Sequence, residues 1–146
     1  MNSEKYTYLT NQNNLIYTFL SIGIQGVILK VVIFEKIDES LYNLAFGDFN
    51  EKTQEIDDKA VSNNGDTIKV LATVIQTIRD FYTTNVNASV IIKGSSSART
   101  RLYQKIIRDN IATIQTEFEI LALNEQDEYE IFYVNGKYEE FKIKKI

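Results

Sequence analysis

The chain has 146 residues, enough for one well-formed core, and its 44% hydrophobic and 25% charged content is that of an ordinary soluble globular protein. Sixteen Lys and Arg against twenty Asp and Glu leave a net charge of −4, which argues against broad nucleic-acid binding while leaving room for a local basic face. There is no Cys and no His, so disulfides, thiolate or imidazole metal sites and Ser–His or Cys–His pairs are excluded; any chemistry falls to carboxylates, Tyr, Ser, Thr, Lys or Arg.

No apolar run reaches membrane-span length and the polar opening MNSEKYTYLT is not a signal peptide, so the expected location is cytoplasmic. Without repeats or linkers, 1–146 reads as a single domain, with residues 1–14 either a short edge strand or poorly ordered. Nine Tyr and eight Phe with no Trp point to a sheet-rich protein.

Leu15 to Ile22 is rich in β-branched and aromatic residues and stops at Gly23. Val27 to Ile37 is nearly continuous apolar sequence, the pattern of a central strand covered on both faces. Gly23 and Gly26 frame the turn of a hairpin between them. Leu41 to Phe49 is a third strand, where Gly47 marks a bulge or a close backbone approach. Residues 50–62 read as a charged loop with room for a short strand at Ile56 or Val61.

A turn at 63–66 hands over to a helix, with Asp66 as N-cap and an apolar face at Val70, Leu71, Val74, Ile75, Ile78, Phe81 and Tyr82. Ala88 to Ile92 is a short strand, and the loop Lys93-Gly94-Ser95-Ser96-Ser97 leads into a second helix. At roughly 100° per residue, Ala98, Leu102, Tyr103 and Ile106 share one side and Arg101, Lys105 and Arg108 the other. Arg99 falls on the apolar side and needs a partner, with Asp48 or Asp66 the preferred carboxylates. Phe118 to Leu123 is a strand. Tyr129 to Val134 and Lys137 to Ile146, joined at Asn135-Gly136, form a type I′ hairpin with Tyr133 opposite Tyr138. The order β-β-β-α-β-α-β-β-β defines an α+β fold, a single curved, mostly antiparallel sheet packed with two helices.

The 93–97 loop offers backbone N–H groups and hydroxyls at a helix start, flanked by Lys93 and Arg99. That suits a phosphate or carboxylate, although a tight turn at Gly94 and a capping Ser explain the same residues. The Gly-Lys-Ser/Thr ending of a Walker loop is missing. Arg101, Lys105 and Arg108 suit an acidic partner or nucleic acid, or else form a solvated helix face. Asp57, Asp58 and Asp66 lack ligand spacing and read as solvated loop carboxylates, so no metal is expected.

The pieces YNLAFGD (42–48), NNGD (63–66), KVLATV (69–74) and KGSSSARTRLYQ (93–104) resemble a family of uncharacterised small proteins of Bacteroidota, their phages and mobile elements. That resemblance implies the fold and a mobile-element setting. From residue 63 onward, a Gly-containing turn before a helix, a strand, and Ala-Arg-x-x-Leu-Tyr on a second helix are similar to the back half of the GNAT acetyltransferases. The similarity implies that Asn64, Gly65 and Asp66 sit at a coenzyme A pyrophosphate loop and that Tyr103 is the general acid. The chain departs from that pattern in having one Gly followed by an Asp in the loop, and in lacking the two substrate-binding helices.

These readings define three expectations. The first is a non-enzymatic binding module without a cofactor, acting on another protein through 93–108, with the aromatic C-terminal hairpin as a possible homodimer edge. The others are a reduced acyl-CoA-dependent acyltransferase using coenzyme A and Tyr103, and a nucleic-acid binder using Arg101, Lys105 and Arg108.

Overall fold

A computed structural model describes residues 4–57 and 64–146; Val61, one of the two positions offered for a short strand, and Asp58 of the acidic group lie outside them. The elements are β1 (Leu9–Thr10), β2 (Ile16–Gly23), β3 (Gly26–Asp38), β4 (Leu41–Asn50), β5 (Glu55–Asp57), α1 (Thr67–Thr84), β6 (Ser89–Ile92), α2 (Ser97–Asp109), α3 (Ile111–Ile114), β7 (Phe118–Leu123), β8 (Tyr129–Ile131) and β9 (Glu140–Lys145). Hydrogen bonding links the strands in the order β1-β2-β3-β4-β6-β9-β7-β8, with β5 on β4. The fold is thus the expected α+β arrangement, supplemented by the short β1, β5 and α3. The pairing of β4 with β6 is parallel.

The chain divides into two compact units, residues 1–35 with 45–86, and residues 36–44 with 87–146. In the first, Gly23 and Gly26 close the β2–β3 hairpin across Ile24 and Gln25, and Gly26 takes φ +92°, a conformation that suits Gly. Alternation along β2 turns Tyr17, Phe19 and Ser21 inward. With Val32 and Phe34 of β3 they meet α1, whose Phe81 ring lies edge-on to Phe34 at 4.3 Å. At Gly47 a Cβ would come within 2.7 Å of the Asp57 carbonyl oxygen, so the close approach read at this position is that of β5 to β4. The expectation that β3 is covered on both faces is corrected at its ends, where Val27 and Ile37 are exposed.

Asp66 stands at the N-cap position of α1, yet its side chain makes no capping bond. Its carboxylate instead accepts hydrogen bonds from the hydroxyls of Tyr6 (2.5 Å) and Ser21 (2.6 Å). Two strong O–H donors from other parts of the chain displace the local cap, because hydrogen bonds to a charged acceptor are the stronger kind. Residues 4–14 are held by such contacts. Tyr6 stacks on Phe19 and donates its backbone N–H to Thr73, while the Tyr8 hydroxyl donates to Asp80.

Burial alone would raise the Asp66 pKa, but the bonds from Ser21 and Tyr6, aided by its own backbone N–H and the charge of Lys30, bring it below 3.8. A carboxyl lowered on folding stabilises the native state above its unfolded pKa, and that contribution is lost as pH falls through about 4 and below. Tyr6→Phe is therefore expected to melt lower than wild type at neutral pH and to lose less melting temperature on acidification to pH about 3. Parallel acid limbs for the two proteins would refute this account of Asp66.

In the second unit, β9 lies between β6 and β7 and carries Phe141 and Ile143 inward against Val90, Ile120 and Ala122. The expected hairpin of 129–134 with 137–146 does not form. β8 and β9 flank β7 on opposite sides, and neither Asn135 nor Gly136 adopts the positive φ of a type I′ turn. The residues between them fold back locally, with Gly136 N–H on the Tyr133 carbonyl and Tyr133 N–H on the Tyr138 hydroxyl. Pairing β9 with β7 brings the apolar face of Phe118–Leu123 into the core, which outweighs a two-residue turn preference. The turn that does reverse the chain is at 124–128, where the Asn124 side chain accepts from the N–H groups of Gln126 and Glu128.

Candidate functional site: a cationic groove beside the second helix

Ser96 caps α2, its hydroxyl accepting the Arg99 N–H at 3.2 Å in the usual N-cap manner. Gly94 lies so close to the first turn that a Cβ there would meet the Thr100 nitrogen at 2.4 Å; its own N–H donates to the Thr100 hydroxyl. A residue without a side chain is thus what lets the loop lie flat against the helix. At the other wall, Gln104 Nε2 donates to the Gly136 carbonyl at 2.5 Å and ties the 133–138 turn to α2.

Loop, helix and turn enclose a groove of about 850 Å³ lined by Lys93, Gly94, Ser95, Ser96, Ser97, Thr100, Arg101, Gln104, Lys105, Arg108, Gly136, Lys137, Tyr138 and Glu139. Five cations face one carboxylate there, in a chain whose net charge is −4. Lys93, Arg101, Lys105 and Lys137 are exposed and, among the described residues, engage no carboxylate; Arg108 has Asp109 at 3.5 Å. With about 1.5 Å of rise per residue, the strip from Ser97 to Arg108 is about 16 Å long.

The structure brings the 93–97 loop and the Arg101, Lys105, Arg108 face together on one surface. Thr100, Gln104 and the 136–139 wall were not foreseen, and Lys137, beside the Asn-Gly pair, was the one signal for that wall. The helix is rotated from its expected setting. Arg99, Thr100 and Ile107 are its buried residues, whereas Ala98 is exposed and Leu102 is 39% exposed. The close approach of Gly94 to Arg99 and Thr100 sets this rotation. Arg99 is 9% exposed and does not line the groove, and Tyr103 is half-buried. Of the two carboxylates expected for Arg99, Asp48 contacts Lys30 and Asp66 accepts from Tyr6 and Ser21.

Asn64 is 2% exposed, and its side chain braces the β2–β3 turn, accepting from Gln25 N–H and donating to Ser21 Oγ and the Gly26 carbonyl. Gly65, at φ +77°, leads into α1 beside a shallow depression edged by Glu4 and Asp66. Tyr103 belongs to the other compact unit. Among the described residues, no three His, Cys, Asp or Glu side chains are grouped to hold a metal ion, and no helix is long and apolar enough to cross a membrane.

Fold and groove together define a class: a small α+β protein carrying a concave cationic surface between a Ser-rich helix start and a turn. Residues 2–146 match a family model described as "Family of unknown function (DUF6934)", and the chain belongs to that family. No curated protein and no solved structure matches the chain.

Proposed function

We propose that the protein is a non-enzymatic binding module whose groove takes an extended acidic segment of a partner protein. The observation that carries this reading is the convergence of five cations and one carboxylate on a single concave surface of an acidic chain. Clustered Arg and Lys recognise carboxylates or phosphates by charge-assisted hydrogen bonds. A strip of about 16 Å accommodates roughly five extended residues. A long nucleic acid fits less well: beyond the groove the negative surface repels it, and Tyr138, the aromatic lining the groove, is 9% exposed and offers no open ring for base stacking. The motif resemblance to Bacteroidota and phage proteins supports a mobile-element or phage–host setting for that partner.

The test is fluorescence anisotropy with labelled Glu- and Asp-rich peptides, alongside single-stranded oligonucleotides. Peptide binding is expected to weaken with salt and to fall at least about tenfold in Arg101→Glu/Lys105→Glu. Tighter binding of oligonucleotide than of any acidic peptide would replace the protein partner with nucleic acid. Acetyl-CoA turnover lost on Tyr103→Phe would overturn the non-enzymatic reading.

A further inference from the structure

We propose that the cationic groove is filled by the acidic β7–β8 turn of a second copy of the chain, the two copies exchanging turns about a twofold axis. This inference rests on the reading of the groove as a site for acidic segments, and it names the segment. From Glu125 to Glu130 the sequence EQDEYE carries four carboxylates and no cation, and all six residues are exposed. Among the described residues none of these carboxylates engages a cation, and none lines the groove. Five cations and one carboxylate give the groove a charge of +4, and four carboxylates give the turn −4, so the two surfaces match in charge. Six fully extended residues span about 20 Å. Folding them into a turn brings that reach within a strip about 16 Å long.

The fold makes a second copy, and not the chain's own turn, the occupant. Asn124 N–H donates to the Glu128 carbonyl at 2.9 Å, and Asp127 N–H to the Asn124 carbonyl at 3.1 Å, with Asp127 at φ +58°. Strand β8 is paired to β7 from Leu121–Ile131 to Leu123–Tyr129. The turn therefore cannot fold onto the groove of its own chain without breaking those bonds. A turn formed in advance also loses little freedom on docking. The register places both parts at one end of the sheet: β7 ends at Leu123 opposite Glu140 of β9, and β6 ends at Ile92 opposite Phe141. The acidic turn, the 93–97 loop and the 136–139 wall all leave the sheet there. A twofold axis at that end sets each turn against the other copy's groove, and such an isologous contact closes at two chains.

The test is sedimentation velocity of the full chain from about 5 μM to about 500 μM, at low and at high salt. Wild type is expected to dimerise with a micromolar dissociation constant that weakens as salt rises. Two variants, each checked for a cooperative melting transition, break one side of the contact. They are Arg101→Glu/Lys105→Glu in the groove and Glu125→Lys/Glu128→Lys in the turn, the latter leaving Asp127 at its positive φ. Each alone is expected to dimerise at least about tenfold more weakly than wild type. An equimolar mixture is expected to recover association, because the groove variant keeps an intact turn and the turn variant an intact groove. A wild type that stays monomeric overturns the proposal. So does a mixture no tighter than either variant, or a dimer weakened by the groove variant and untouched by the turn variant. Labelled acidic peptide binding to a monomeric wild type would leave the groove reading standing, whereas no peptide binding and no dimer would overturn both.

Discussion

Phe81→Ala is expected to lower stability by about 4 kcal/mol and the melting temperature by about 12 °C. Phe81 is fully buried, edge-on to Phe34 at 4.3 Å and stacked on Tyr82 at 5.2 Å. Truncation removes the ring's transfer free energy and leaves a cavity walled by two aromatics with little freedom to close on it. Phe81→Leu, which fills most of the space, should cost about 1.5 kcal/mol. Ile68→Ala on the same helix, at a position 64% exposed, should stay within about 0.5 kcal/mol. Urea denaturation of the three variants measures the series, and a loss below about 2 kcal/mol for Phe81→Ala would show that α1 contributes little to this core.

The second large effect is expected at the buried ion pair. Lys30 is 5% exposed, sits beside Phe19 in the strand register, and its ammonium lies 2.5 Å from the Asp48 carboxylate. Asp48→Ala strips that ammonium of the carboxylate it touches and should cost about 3 kcal/mol, because the charge remains where water reaches it poorly. Replacing both partners, as Lys30→Met/Asp48→Leu, removes both desolvation costs and is expected to return stability to within about 1 kcal/mol of wild type. The comparison of single and double variants is the measurement. If the double variant is as unstable as Asp48→Ala, the loss reflects packing around β4 and not the charge.

Both positions show how far residue order can be read. Phe81 was legible as core from its spacing with Val74, Ile75 and Ile78, since a helix of this length buries one face wherever it docks. Lys30 was not legible, because an ammonium inside an apolar strand is tolerated only through a nearby carboxylate, and the one it meets, Asp48, is brought to it by β4. The candidate site divides in the same way. Lys93 to Ser97 and the Arg101, Lys105, Arg108 face are local patterns and were readable as a loop and a helix stripe. That they line one groove depends on the rotation of α2, which Gly94 sets by its approach to Thr100. The 136–139 wall was misread for a related reason: Asn135-Gly136 favours a tight turn locally, yet β9 takes its place beside β7 for the burial of Phe141 and Ile143.

By itself, then, the sequence determined the α+β order, the two long helices, the β2–β3 hairpin, the exclusion of thiol and imidazole chemistry, and a Gly/Ser loop leading into a helix at Lys93–Ser97. These follow from periodicity, glycine placement and composition, which act over a few residues. The tertiary structure alone decided which strands beyond that hairpin became neighbours, that Asp66 serves Tyr6 and Ser21 instead of its own helix, and that five cations share a groove. Those outcomes depend on residues far apart in the chain competing for the same buried surface and the same hydrogen bonds, and such competition is settled only when the chain is folded.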